Sequence, residues 1–110
     1  MKNETQLSQT LYPASTLREQ ILSILKAWGM HNEDAQTAAT VMVETDLRGV
    51  DSHGINMLRQ YEETFNRGAL NVKPKTKLIR ERSTTALIDA DRGLGHPVSV
   101  QAMNKAIEKA

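Results

Sequence analysis

Residues 46–61 read Asp46-Leu47-Arg48-Gly49-Val50-Asp51-Ser52-His53-Gly54-Ile55-Asn56-Met57-Leu58-Arg59-Gln60-Tyr61. One helical pattern closes in this stretch and another opens. Gly49 suits a helix stop in the left-handed conformation, and Arg48 lies near the last carbonyls, where a cation is favoured. Ser52 is a natural N-cap, so a third helix is expected from Ser52 to about Arg67. The joint thus places a histidine in a turn just ahead of a helix. A rigid element can there hold a titratable group towards a ligand.

Outward from the joint towards the N-terminus, Asn32 is the expected cap of a second helix, with Glu33 and Asp34 near its positive end. Ala35, Ala38, Ala39, Met42 and Val43 fall on its inward face, and so many alanines imply close approach to a neighbouring helix. The first helix carries Leu17, Ile21, Ile24, Leu25 and Trp28 as one apolar stripe. Thr16 and Glu19 have capping-box spacing, and Gly29 is placed to end the helix. Residues 1–13 read as a mobile leader.

Towards the C-terminus, Asn66-Arg67-Gly68 ends the third helix, and Pro74 marks a connection. Residues 76–81 and 84–90 are rich in Thr, Leu and Ile, with Arg82-Ser83 between them, and predict a β-hairpin. Arg80-Glu81-Arg82 reads as its solvated end. Asp91-Arg92-Gly93-Leu94-Gly95 is a turn, and Pro97 suits the first position of a fourth helix carrying Val100, Met103 and Ile107. The fold class is α+β: a three-helix unit over residues 14–68, then a hairpin and helix over 69–110. The unfinished last helix and uncovered strand edges predict that residues 69–110 begin a domain continuing beyond Ala110.

Composition narrows the function classes. The 110 residues carry 14 basic and 13 acidic side chains, so no net field favours nucleic acid or an anionic membrane. With no cysteine there is no disulfide, thiolate metal site or cysteine nucleophile. Neither a membrane span nor a signal-peptide core is visible, and the cytoplasm is the expected location. The histidines lack metal-ligand spacing.

His53 is the main candidate for chemistry, because an imidazole exchanges protons near neutrality. Ser52 could orient a substrate through its hydroxyl. The plainer reading is a capping serine followed by a surface histidine. Asp46 and Asp51 flank the joint and could orient His53 or neutralise Arg48, though such residues are more often solvated or cap backbone groups. Tyr61, two turns along the expected helix, could reach the same cleft or serve as a core aromatic. His96 follows Gly93-Leu94-Gly95 at a helix start, where anions can bind, though the third glycine of a dinucleotide fingerprint is missing. His31 reads as an exposed loop residue.

The run Arg48-Gly49-Val50-Asp51-Ser52-His53-Gly54 resembles the type-2 malate/L-lactate dehydrogenase family. The likeness continues through the alanine-rich second helix, Tyr61, Ala86-Leu87-Ile88-Asp89 and Gly93-Leu94-Gly95-His96. It implies part of a non-Rossmann dehydrogenase fold, usually homodimeric, that uses NAD or NADP on 2-hydroxy and 2-oxo acids. By that resemblance Ser52 and His53 line the active site as catalytic residues. Tyr61, Arg48 and Arg59 stand near substrate, and His96 is a cofactor-side candidate. The family's principal catalytic histidine lies in a later segment. Many relatives carry an arginine four residues after the histidine of Ser-His-Gly; here that position is Met57, and Arg59 lies two further on. A reading of a different class is a non-catalytic helical interaction module docking through the Leu17/Ile21/Trp28 stripe or the hairpin edges.

Overall fold

Apolar residues spaced three and four apart predict two helices burying their stripes against each other, and this pair forms the centre of the fold. The structure is a computed structural model that describes residues 10–110. Of the leader expected over 1–13, residues 1–9 lie outside the described residues, and Thr10–Pro13 carry no regular structure. Helix α1 spans Ala14–Ala27 and α2 spans Asn32–Leu47. Ile21 and Leu25 of α1 and Ala35, Ala38, Ala39, Met42 and Val43 of α2 are buried. The alanines let the helices approach closely, and the larger Ile21, Leu25 and Met42 fill the seam.

The helix starts differ from the sequence expectation. Helix α1 begins at Ala14 after Pro13, whose carbonyl accepts the N–H groups of Thr16 and Leu17. Thr16 is therefore inside the first turn and forms no capping box. His31, not Asn32, occupies the cap position of α2, and its carbonyl accepts the Ala35 N–H at 2.9 Å. The stop at Gly29 holds: Gly29 and Met30 N–H groups close the end of α1 onto Lys26 and Leu25 carbonyls.

Helix α3 is short, Leu58–Asn66, and is preceded by two 3-10 turns, Asp51–His53 and Ile55–Met57. It leans on the α1–α2 pair through Ile55, Leu58 and Tyr61. Phe65 stacks on Trp28, with centroids 5.1 Å apart and planes within 11°. In the α1 stripe Ile21 and Leu25 are thus buried, and Leu17 and Trp28 are partly buried against the same core.

Strands β1 (Lys77–Glu81) and β2 (Ala86–Asp89) form an antiparallel hairpin. Leu78 faces Ile88 and Arg80 faces Leu87, so Ile79 sits at a bulge. The turn is longer than Arg82-Ser83: Arg82 N–H donates to Thr85 O at 2.8 Å, taking Thr84 and Thr85 out of the strand. Glu81 is not merely solvated, since its carboxylate meets Lys109 Nζ at 2.7 Å and Lys105 Nζ at 3.3 Å. These lysines stand on helix α4, Gly95–Lys109, which begins two residues before Pro97. Pro97 still falls in the first turn, where its missing N–H has no helical partner to lose. Leu94, just ahead of α4, is buried with the α1–α2 core and anchors the second half of the chain to the first.

A clasp holds the connection before β1. Asn71 Nδ2 donates to Asp91 Oδ2 at 3.0 Å, and the same oxygen accepts the Lys75 N–H at 2.9 Å. Asp91 and Arg92 both have positive φ, 53° and 58°, in a turn closed by Gly93 N–H to Ala90 O. The paired left-handed residues match a type I′ turn.

Candidate active site

The joint between α2 and α3 is built by backbone first. Gly49, at φ 83°, donates its N–H to Asp46 O, and Val50 donates to Thr45 O, closing α2. The chain then makes one 3-10 turn, with His53 N–H on Val50 O at 3.0 Å. Gly54, at φ −95° and ψ −130°, breaks it before the second. The reason for the break lies in α2. The Asp46 carboxylate accepts the Ile55 N–H at 3.0 Å, and Gly54 is buried so closely against it that a Cβ would collide.

That contact corrects the expected helix from Ser52. Ser52 caps nothing, because the Ile55 amide is drawn to a side chain on the previous helix instead of entering an i−4 ladder. His53 and Tyr61 do not share a helix, so the two-turn spacing between them does not apply. Of the readings open for Asp46, it performs the backbone-capping one.

Ser52 and His53 are brought together: Ser52 Oγ lies 2.8 Å from His53 Nδ1, on an exposed turn. Asn56 Nδ2 donates to Asp51 O at 3.0 Å and bridges the two 3-10 turns. The histidine is therefore presented to solvent from a short loop braced by Asp46 on one side and Asn56 on the other.

Tyr61 and His96 form a second pair. Their rings meet edge-on, with centroids 5.8 Å apart. Burial holds the His96 imidazole below its ordinary pKa and pushes the Tyr61 phenol above its own, since each charged form loses water. His96 Nδ1 is buried and has no hydrogen-bond partner among the described residues. The pair lines a cavity of about 430 Å³ with Val41, Ser99, Val100 and Met103. Among the described residues no hydrogen bond or ring contact joins it to Ser52–His53. A larger groove of about 630 Å³, between the start of α2, the hairpin and α4, contains none of the candidate residues.

Arg48, at the C-cap of α2, and Arg59, in the first turn of α3, are exposed and make no ion pair among the described residues. Met57 closes the second 3-10 turn, so its offset from Arg59 is not one of continuous helical spacing. His31 is exposed, as expected. The residues missed from sequence are those that act across the chain. Asn56 and Asn71 carried no local signal, and Val41 and Ser99 reach the cavity only through packing. No group of three or more His, Cys, Asp or Glu able to hold a metal occurs among the described residues.

A sequence profile described as malate/L-lactate dehydrogenase matches residues 12–110. The chain is 44% identical over 90 residues to an L-sulfolactate dehydrogenase of Methanocaldococcus jannaschii, covering 82% of this chain and 26% of that protein. It is 42% identical over 98 residues to a malate dehydrogenase of Pyrococcus horikoshii, covering 89% and 27%. The solved structure of the M. jannaschii sulfolactate dehydrogenase superposes with a TM-score of 0.88 at 40% identity, over 92% of this chain and 29% of that one. The chain thus spans about a quarter of the length of these relatives. With profile, sequence and backbone in agreement across the joint, the hairpin and α4, this chain belongs to the malate/L-lactate dehydrogenase family.

Proposed function

We propose that this chain supplies one wall of the active site of an NAD- or NADP-dependent oxidoreductase that interconverts 2-hydroxy and 2-oxo acids. The family match over residues 12–110 carries this reading, because it includes the braced loop on which His53 is exposed. Relatives named for malate and for sulfolactate point to substrates with a hydroxyl beside a carboxylate.

Such a reaction needs a partner for the hydroxyl or oxo oxygen, a cation for the carboxylate and a hydride carrier. His53 binds and polarises the substrate oxygen, with Ser52 assisting. Arg48 and Arg59 are the basic side chains nearest the loop in sequence and take the place of the arginine that Met57 lacks. Tyr61 shapes the pocket. The nicotinamide, when bound, supplies hydride acceptance or donation. This chain offers it one fitting feature: an apolar-walled cavity with an unsatisfied ring nitrogen, His96 Nδ1, suited to a carboxamide. We place the protein in the cytoplasm as a homodimer, with residues 14–68 as a helical unit and residues 69–110 as a hairpin-and-helix unit. Of the two docking surfaces of the interaction-module alternative, the α1 stripe is taken up within the chain, with Ile21 buried and Trp28 stacked on Phe65, while the hairpin stays exposed at Leu78, Ile79 and Leu87.

The test is NAD(P)H oxidation by the full-length enzyme with a panel of 2-oxo acids. His53→Ala is expected to lower turnover by roughly a hundredfold. Unchanged turnover removes His53 from the mechanism.

A further inference from the structure

We propose that Ser52 is a positioning residue: its hydroxyl donates to His53 Nδ1 and so fixes the tautomer that keeps a proton on Nε2. This rests on the reading above, in which His53 faces the substrate oxygen, and it specifies which ring atom does so and in what state. The contact is direct, with Ser52 Oγ 2.8 Å from Nδ1. A neutral imidazole has one nitrogen that donates and one that accepts, and a hydroxyl can serve either, so the tautomer follows from this contact together with the ring's own preference. The Nε2–H form is the intrinsically favoured one in water, and a hydroxyl whose hydrogen rotates freely can meet it by donating to Nδ1.

The pairing has a second consequence. When the ring is protonated, Nδ1 becomes a donor and the hydroxyl turns to accept. The Ser52–His53 contact is kept in both states, and Nε2 carries a hydrogen in both. In both of these states His53 offers Nε2–H as a hydrogen-bond donor to the oxo oxygen. The loop is suited to this. Its backbone is held by His53 N–H on Val50 O and by Ile55 N–H on Asp46, so the ring orientation is left to one side-chain contact.

Nitrogen-15 spectra of the histidine rings in this chain, at about pH 8.5 where an imidazole is neutral, read the tautomer directly. The expected result is a protonated Nε2 and an unprotonated Nδ1 for His53. Ser52→Ala should move both signals towards tautomer averaging, and Ser52→Thr, which keeps the hydroxyl, should restore them. Ser52 is exposed, and amide spectra of each variant check that the fold is retained. A proton on Nδ1 in the parent chain, or a Ser52→Ala spectrum unchanged at His53, overturns the proposal. In the full-length enzyme Ser52→Ala should raise KM for the oxo acid about three- to tenfold, with a smaller change in kcat. A tautomer shift with unchanged KM, while His53→Ala is inactive, overturns the positioning role. A fully active His53→Ala overturns the functional reading instead.

Discussion

The carboxylate of Asp46 fills the space in which Gly54 would carry a Cβ, and it accepts the N–H of the next residue, Ile55, at 3.0 Å. One side chain on α2 thereby decides where the loop bearing His53 turns. A Cβ at Gly54 would meet that carboxylate, so the contact calls for glycine there. Gly54→Ala is expected to destabilise the chain by roughly 1–3 kcal/mol. In an Asp46→Ala background the same change should cost clearly less, and a double-mutant cycle by urea unfolding measures the coupling. Gly49→Ala is the contrast: its Cβ meets nothing within 4 Å, but φ is 83°. Its cost, about 1–2 kcal/mol, should not depend on the Asp46 side chain.

The α1–α2 seam predicts a different magnitude. Met42 is fully buried against Ile21 and Leu25 and the α2 alanines, which are too small to fill a gap. Met42→Ala should cost about 2–5 kcal/mol. Trp28, stacked on Phe65, reports the transition by fluorescence.

His96 predicts a pH dependence. Burial lowers its folded-state pKa beneath the unfolded value of about 6.5. In the window between the two values the unfolded chain binds the extra proton. The favourable contribution is therefore complete above about pH 6.5 and is lost as pH falls through the folded value. His96→Phe keeps a ring beside Tyr61 and removes this titration. The fall in Tm between neutral and mildly acidic pH should be smaller in the variant, as followed by circular dichroism.

The tie between the hairpin and α4 predicts a local effect. Hydrogen bonds from Lys109 and Lys105 lower the Glu81 carboxyl below its ordinary range. Its contribution is present above the unfolded carboxylate pKa and is lost as pH falls through the folded value. Glu81→Gln should speed amide exchange in Lys77–Glu81 and Ala86–Asp89 while leaving α1 and α2 protected. Added salt should narrow the difference, because the group is exposed.

Periodicity made α1 and α2 legible, down to every buried residue of α2, because a helix repeats its own geometry and needs only its own sequence to declare a face. The glycine stops at Gly29, Gly49 and Gly68 were legible for the same local reason. The hairpin was legible as a pair of strands but not in its bulge at Ile79, which is a property of two strands in register. The Ser-His-Gly run marked where the candidate site lies. It did not show that Ser52 contacts His53 instead of capping a helix, since a good capping residue and a good tautomer partner are the same serine.

The sequence by itself determined the helices, their stops, the hairpin and the family, all carried by short-range spacing or by a contiguous motif. Tertiary structure alone decided that two 3-10 turns divided at Gly54 replace the first turns of the helix expected after Gly49, that His96 closes on Tyr61, and that Glu81 ties the hairpin to α4. The physical reason is common to all three. Each depends on a side chain reaching a partner in another element, and a carboxylate or ring advertises no such partner until packing brings it within hydrogen-bond or contact distance.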